Sequence, residues 1–127
     1  MFILDSDIVI WLLRNDRVVV QAVDKITSNQ KASISALTVT EIYKNIFPSE
    51  TSTTEALFNS LEIMDVNREI AKEAGYYWQE HIKQFRTLSL ADCVIAATTK
   101  VHKFILLTLN TRHFPMTDIK VINPLKV

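Results

Sequence analysis

Phe2-Ile3-Leu4-Asp5-Ser6-Asp7 opens the chain with three apolar residues that run directly into two carboxylates. The apolar part predicts a short buried strand over Phe2 to Leu4. In an open parallel sheet, ligands bind in the crevice beyond the carboxyl ends of the strands. Asp5 therefore stands where a buried strand delivers a functional group, and this stretch predicts both a sheet and the location of its site.

Strands and helices alternate along the rest of the chain, because apolar residues recur at helical spacing in some segments and form short runs in others. The predicted strands cover Phe2 to Leu4, Lys31 to Leu37, Leu61 to Val66, Phe104 to Leu109 and Lys120 to Asn123. The predicted helices run from Asp7 to Arg14, Asp16 to Ser28, Val39 to Phe47, Glu55 to Asn59, Arg68 to Phe85 and Leu90 to Lys103, with a polar turn over Ser49 to Thr54.

Helices between successive strands imply crossover connections, which produce a parallel sheet covered on both faces. We therefore expect an α/β protein, a three-layer α/β/α sandwich with a central, mostly parallel sheet. A chain of 127 residues is long enough to bury such a core without disulfides. One domain over residues 1–127 is the expected organisation.

The composition narrows the classes of function. Fourteen basic residues balance fourteen acidic ones, so the formal net charge is zero, whereas a protein that coats nucleic acid through bulk charge is basic. Asp5 and Asp7 interrupt the N-terminal apolar run, and we expect neither a signal peptide nor a membrane span. The single cysteine, Cys93, excludes an internal disulfide and suits a reducing compartment. A cytoplasmic protein is therefore expected.

Four oxygen-bearing side chains stand near predicted strand ends or helix starts: Asp5, Glu41, Asp92 and Asn110. Each has an ordinary structural explanation. Asp5 is a candidate helix cap, and Glu41 and Asp92 each follow a hydroxyl residue by three positions, near the capping-box spacing. Asn110 suits a turn that needs unusual backbone angles. Taken one at a time, these residues favour capping over a site.

Their joint placement favours a shared site. Strand ends and the helix starts that follow them lie on one rim of such a sheet, although Asp92 precedes a strand and its helix must carry it to the rim by packing. Oxygen ligands without a His or Cys cluster select Mg²⁺ or Mn²⁺ over Zn²⁺. An ion held by two or three carboxylates can activate water and stabilise a pentacovalent phosphate. Phosphodiester hydrolysis is therefore the predicted reaction class.

Several blocks of sequence occur in a characteristic order: Ile3 to Asp7, Ser35 to Glu41, Ser89 to Thr98, Leu107 to Phe114 and Val121 to Pro124. In order, spacing and total length they resemble the PIN-domain ribonucleases, and most of all the VapC-type toxins of bacterial and archaeal toxin–antitoxin pairs. The resemblance implies a PIN-like fold and a Mg²⁺- or Mn²⁺-dependent endoribonuclease that is usually a homodimer. It also implies a small antitoxin whose C-terminal segment occupies the active-site groove.

The resemblance assigns the first three acidic positions, as catalytic residues and metal ligands, to Asp5, Glu41 and Asp92. Asn110 falls on a fourth catalytic position that is often Asp, and its amide offers an oxygen without a charge. Asp7 falls where the family often has Asn, which restores one negative charge nearby. Two small hydroxyl residues match positions that orient ligands or water: Ser6 and Thr108.

Two other functions remain open. The chain could be a PIN-like module that binds RNA or its antitoxin and cleaves weakly because of Asn110. It could also be a phosphoacceptor receiver domain, which needs an Asp after a central strand, such as Asp65, and a Lys that is missing near Asn110. Cys93 is expected to be an inert core thiol. His113, next to Arg112, is close enough to Asn110 in sequence to contact a phosphate.

Overall fold

Five short strands form one parallel sheet in the computed structural model, which describes residues 1–28 and 30–127. The strands are β1 (Phe2–Leu4), β2 (Ser33–Ser35), β3 (Glu62–Met64), β4 (Ile105–Leu107) and β5 (Lys120–Ile122). Their order across the sheet is β3-β2-β1-β4-β5, and every hydrogen-bonded pair is parallel. The prediction of a mostly parallel central sheet is therefore confirmed.

Helices occupy the connections between the first four strands. They are α1 (Ser6–Leu13), α2 (Arg17–Thr27), α3 (Ala36–Tyr43), α4 (Thr51–Asn59), α5 (Arg68–His81) and α6 (Leu90–His102). Short 3-10 turns cover Pro48–Glu50, Thr111–His113 and Pro124–Lys126. None of the helices in the described ranges has the length and apolarity that crossing a membrane requires.

The start of α3 differs from the prediction. The helix begins at Ala36 rather than Val39, because the Ser35 hydroxyl accepts a hydrogen bond from the Leu37 amide at 3.1 Å and caps the helix earlier. The strand that was predicted to continue to Leu37 therefore ends at Ser35.

The polar turn predicted over Ser49 to Thr54 is wrong, since most of this segment is helical. The 3-10 turn at Pro48–Glu50 leads directly into α4. Thr54 is buried, and its hydroxyl donates a hydrogen bond to the Glu50 carbonyl at 2.9 Å. β-branched polar residues have weak helix propensity, so the sequence pattern did not predict the first turn of α4. Tertiary packing stabilises this turn.

Side chains alternate between the two faces of the sheet. Ile3 of β1 and Leu106 of β4 belong to a buried cluster with α5 and α6, whereas Leu4 and Leu107, the next residues, pack with α1 to α4. Successive residues of a strand point to opposite faces, so one strand supplies both helical layers with core contacts. The predicted three-layer α/β/α sandwich is confirmed.

The strand order creates a crevice at one position of the sheet. From β1 the chain builds outward through β2 to β3, and it then crosses to β4 on the other side of β1. The order reverses between β1 and β4, and ligands of open parallel sheets bind at such a switch point, beyond the carboxyl ends of the strands. The residues that follow Leu4 and Leu107 are therefore the first to inspect for a site.

Candidate active site

Asp5 follows β1 directly and is buried at this switch point, with 7% of its surface exposed. Its amide donates to the Leu107 carbonyl at 3.0 Å, which extends the pairing of β1 and β4 by one residue. Its carboxylate accepts hydrogen bonds from the Ser6 amide at 2.8 Å and from the Thr108 hydroxyl at 2.9 Å. Asp5 therefore caps α1, as its position allowed, and also faces the end of the neighbouring strand.

The surroundings of Asp5 disfavour its ionised form. Burial raises the pKa of this carboxyl from 3.8 to about 6, and the negative charge of Asp7 adds to the effect. Hydrogen bonds from Thr108 and Ser6 act in the opposite direction, and the charge of Asp92 raises the pKa slightly further. A carboxyl whose pKa is raised by burial and by neighbouring carboxylates is a marker of functional sites.

Asp7 lies in the first turn of α1, and its carboxylate reaches across the crevice to the chain after β4. One oxygen accepts from the Ile8 amide at 2.7 Å. The other accepts from the Leu109 amide at 3.0 Å and lies 3.2 Å from the Thr108 hydroxyl. Burial raises the pKa of Asp7, while the Leu109 and Ile8 amides lower it. Asp7 therefore belongs to the same cluster as Asp5.

Asp92 reaches the rim because α6 runs back along the sheet before β4, so that the start of the helix lies near the carboxyl ends of the strands. The Ser89 hydroxyl accepts from the Asp92 amide at 3.0 Å and caps α6. Burial raises the pKa of Asp92, and the negative charge of Asp7 adds to it, whereas Ser89 and His113 lower it. The sequence required α6 to carry Asp92 to the rim by packing, and the structure shows this arrangement.

Glu41 is half-buried in the second turn of α3, so its predicted place in the first turn is wrong. The capping explanation also fails, because the helix is capped by Ser35, six positions earlier. Burial raises the pKa of Glu41; the Lys44 ammonium lowers it, and the charge of Asp92 raises it. Glu41 is therefore near enough to Asp92 for the two charges to repel, and no hydrogen bond joins it to the cluster among the described residues.

Asn110 is joined to the cluster through its main chain. Its amide donates to the Thr108 hydroxyl at 3.0 Å, and its carbonyl accepts from the His113 amide at 3.0 Å. Its φ is −123°, so the turn does not need the left-handed backbone that Asn tolerates. The residue is exposed, and its side chain does not cap the following 3-10 turn. The structure thus brings the Asn110 backbone to the site and leaves its side chain toward solvent.

His113 lies on the outer side of the cluster. Its Nδ1 is 4.0 Å from an Asp92 carboxylate oxygen, and about half of its side chain is exposed. The charge of protonated His113 lowers the pKa of both Asp92 and Asp7. His113 therefore lies beside the acidic cluster, and its contact with a phosphate stays a prediction.

The donor chemistry of the cluster suits a hard divalent cation. Asp5, Glu41 and Asp92 offer carboxylate oxygens, and each has its pKa raised in part by another acid of the cluster. A bound cation would relieve that repulsion. Within residues 1–28 and 30–127, however, no three His, Cys, Asp or Glu side chains are gathered closely enough to hold an ion. The donor set fits a metal, while ligand distances are not formed in this arrangement.

The residue named for the receiver-domain alternative lies in the wrong place. Asp65 was to follow a central strand, but it follows β3, which is an edge strand. Cys93 is fully buried, and burial raises the pKa of its thiol to about 11, so it is an inert core residue as expected.

The link from Asp7 to the Leu109 amide could not be read from the sequence. It joins positions 102 apart, and no local pattern announces a hydrogen bond between a helix start and a distant main-chain amide. The only signal was that Asp7 stands two residues after Asp5, on the same helix start.

Together, the parallel sheet, its two helical layers and the acids at its switch point define an α/β protein with an acidic rim site. The family model for the PIN domain matches residues 2–120, and this chain belongs to the PIN-domain family. A curated relative from Mycobacterium tuberculosis, Ribonuclease VapC19, is 30% identical over 117 residues, which are 91% of this chain and 94% of the relative. The predicted resemblance to PIN-domain proteins of the VapC type is therefore confirmed.

Solved structures give the same relationship at the level of the fold. A toxin–antitoxin complex from Klebsiella pneumoniae contains a chain that is 25% identical, with a TM-score of 0.80 and coverage of 98% of both chains. VapBC2 from Rickettsia felis, bound to a DNA fragment from its promoter, contains a chain with a TM-score of 0.82 at 16% identity, covering 96% of this chain and 97% of that one.

Proposed function

We propose that this protein is a metal-dependent endoribonuclease that hydrolyses RNA phosphodiester bonds and acts as the toxin of a toxin–antitoxin pair. The observation that carries the proposal is the cluster of Asp5, Asp7 and Asp92 at the switch point of the sheet, where burial raises the pKa of all three and repulsion by a neighbouring carboxylate adds to it at Asp5 and Asp92. Membership of the PIN-domain family and the 30% identity to a relative named as a ribonuclease support RNA as the substrate.

Asp5, Glu41 and Asp92 are the residues that we assign to the metal, and Mg²⁺ or Mn²⁺ is the ion that their oxygens favour. When bound, such an ion supplies an activated water and neutralises charge on the phosphate. The protein contributes orientation, because the Thr108 hydroxyl holds one oxygen of Asp5 at 2.9 Å.

Asn110 is assigned to the fourth catalytic position. Its amide oxygen can bind a water or the cation but adds no charge. The alternative function, a PIN-like module that binds RNA without efficient cleavage, is not favoured, because the carboxylates of Asp5, Glu41 and Asp92 remain for the metal. RNA therefore remains a substrate in this proposal rather than only a ligand.

A groove beside Glu41 suits the antitoxin. It encloses about 320 Å³, and Ile10, Leu13, Ile46 and Phe47 supply its apolar lining. Phe47 is 71% exposed, which is unusual for an aromatic side chain of a folded protein. We propose that the C-terminal segment of the antitoxin covers this groove and so blocks access to Glu41.

A homodimer is the oligomeric state that we propose, since α1 keeps large apolar side chains exposed on its outer face. Ile10 and Trp11 of this helix are 38% and 37% exposed, while Ile8 and Val9 are fully buried. We place the protein in the cytoplasm, where the free thiol of Cys93 would stay reduced. Light scattering of the purified toxin at several concentrations tests the dimer.

The nuclease proposal is tested by cleavage of RNA with purified protein that has been freed of antitoxin. Cleavage should require Mg²⁺ or Mn²⁺, stop in EDTA, and fall by roughly a hundredfold or more in Asp5→Ala and Asp92→Ala. Asp16→Ala is the matched control, because Asp16 also caps a helix, through the Val19 amide at 3.0 Å. Full activity of Asp5→Ala, or cleavage that survives EDTA, would contradict the proposal.

The toxin role has a separate test in cells. Induced expression should arrest growth, and Asp5→Asn should abolish the arrest. Co-expression of a small DNA-binding protein with a basic C-terminal tail, encoded next to the toxin, should restore growth. Continued arrest in the presence of that protein would argue against its being the antitoxin.

A further inference from the structure

The carboxylate of Asp7 is engaged on both sides by main-chain amides. Oδ1 accepts from the Ile8 amide at 2.7 Å within α1, and Oδ2 accepts from the Leu109 amide at 3.0 Å, beyond the end of β4. A backbone N–H has a fixed direction, so two such donors hold both the position and the plane of the carboxylate. Asp7 therefore ties the start of α1 to the segment that leads from β4 to Asn110.

The Thr108 hydroxyl is the second element of this tie. It is fully buried, lies 2.9 Å from Asp5 Oδ2 and 3.2 Å from Asp7 Oδ2, and accepts a hydrogen bond from the Asn110 amide at 3.0 Å. A hydroxyl has one proton, so it can donate fully to one carboxylate at a time. The shorter distance favours Asp5, which leaves the Leu109 amide as the principal contact of Asp7 across the crevice.

We propose that Asp7 is a positioning residue for the nuclease reaction, and that it acts by holding the segment from Thr108 to Asn110 through the Leu109 amide. With that segment fixed, the Thr108 hydroxyl stays directed at Asp5. The inference rests on the proposed function for its catalytic consequence. This role differs from that of the residues assigned to the metal, and the effect of Asp7→Ala on the Kd for Mn²⁺ distinguishes the two roles.

Hydrogen exchange in the metal-free protein tests the tie without any assay of RNA cleavage. In Asp7→Ala the Leu109 amide loses its acceptor and should exchange at least about tenfold faster than in the wild type. Asp7→Asn retains one acceptor oxygen, so its Leu109 amide should exchange more slowly than that of Asp7→Ala. The matched control is Asp16→Ala, which should speed exchange at Val19 and leave Leu109 unchanged.

Unchanged protection of Leu109 in Asp7→Ala would overturn the inference. So would equal exchange rates at Leu109 in the Asn and Ala variants. Both outcomes are independent of whether the protein cleaves RNA, so they are distinguishable from a failure of the proposed function. The Asn variant also keeps the test usable where the Ala variant does not fold.

The catalytic consequence is tested by a double-mutant cycle with Asp7→Ala and Thr108→Val. Each single variant should lower kcat by about tenfold or more, and the double variant should lose no more than about threefold beyond the worse single one, because both act through one segment. Thr108→Ser keeps the hydroxyl and should restore most of kcat. The Kd for Mn²⁺, measured by calorimetry, should change by less than about threefold in Asp7→Ala.

Two results of this cycle would contradict a positioning role. Multiplicative losses in the double variant would mean that Asp7 and Thr108 act independently. A large increase in the Kd for Mn²⁺, with kcat restored at saturating Mn²⁺, would make Asp7 a metal ligand.

Discussion

The Thr108 hydroxyl donates a hydrogen bond to the Asp5 carboxylate at 2.9 Å, although 103 positions separate the two residues. The contact exists because β1 and β4 are neighbours in the sheet, with Leu4 paired to Leu107. Both residues are buried, so the protein fixes the orientation of Asp5 before any ligand binds. Such preorganisation lowers the free energy that would otherwise be spent on reorienting these groups during a reaction.

Asp5→Asn should stabilise the metal-free protein at pH 8. The pKa of an aspartate is ordinarily 3.8, and burial raises that of Asp5 to about 6. Between these pH values the folded state therefore holds a proton that the unfolded state has released. The contribution of Asp5 to stability therefore falls as the pH rises through that window, by up to roughly 3 kcal/mol at about 1.4 kcal/mol per pH unit. A neutral amide avoids this cost.

Urea unfolding in EDTA at pH 4, 6 and 8 measures the effect. The gain of Asp5→Asn over wild type should be largest at pH 8 and small at pH 4. Asp16→Asn serves as the control, since Asp16 also caps a helix but is separate from the acidic cluster. A gain that is equal at all three pH values would refute the ionisation explanation.

RNA cleavage should depend on pH in a way that changes with the metal concentration. A carboxylate must be ionised to bind a cation, so at low Mg²⁺ the rate should rise as the pH increases through about 6, the pKa of Asp5. Higher Mg²⁺ competes better with the proton and should move this rise to lower pH. Profiles of kcat/KM at two Mg²⁺ concentrations check the shift, and superimposable profiles would count against Asp5 as a ligand.

Asn110→Asp should tighten metal binding. The residue is exposed and joined to the cluster through Thr108, so a new carboxylate there adds charge near Asp5 and Asp92. We expect the Mg²⁺ concentration for half-maximal activity to fall by roughly three- to tenfold. Asn59→Asp is the control, because Asn59 ends α4 just before the edge strand β3, away from the switch point between β1 and β4. An inactive wild type with an active Asn110→Asp variant would revive the binding-module alternative.

Thr38→Val should leave stability unchanged or raise it by about 1 kcal/mol. Thr38 is fully buried, and its hydroxyl has no hydrogen-bond partner among the described residues. Thr54→Val is the matched control, because the buried Thr54 hydroxyl donates to the Glu50 carbonyl at 2.9 Å, and it should lose about 1 kcal/mol. The change in the free energy of unfolding relative to wild type, measured by urea titration, should therefore be zero or positive for Thr38→Val and negative for Thr54→Val.

Gly75→Ala should stabilise the protein by about 0.5–1 kcal/mol, because glycine is unfavourable inside a helix. Gly75 lies within α5, and a Cβ added there meets no atom within 4 Å. Ala71→Gly, at an exposed position of the same helix, is the reverse control and should destabilise by a similar amount. A loss of stability in Gly75→Ala would show that something approaches this face closely.

Much of the fold was accessible from the sequence, because β1 and β4 are continuous apolar runs and the helices carry an apolar stripe. The starts of α3, after Ser35, and of α4, at Thr51, were not predicted correctly. The Ser35 cap and the buried hydroxyl of Thr54 override the local sequence pattern at these two places. For the site, Asp5 and Asp92 were predicted to lie at the rim, and the structure places both there, Asp5 as the cap of α1 and Asp92 in the turn that Ser89 caps. Glu41 was found with the wrong place in its helix.

The sequence by itself determined the alternation of strands and helices, the acidic character of the rim and the PIN-domain family, because these depend on residue type and order. Only the tertiary structure decided that Asp7 bonds the Leu109 amide, that Thr108 lies between two carboxylates and that Asn110 keeps an exposed side chain. Such contacts depend on which strands become neighbours. Leu4, the residue before Asp5, pairs with Leu107 only because β1 and β4 lie side by side in the folded sheet.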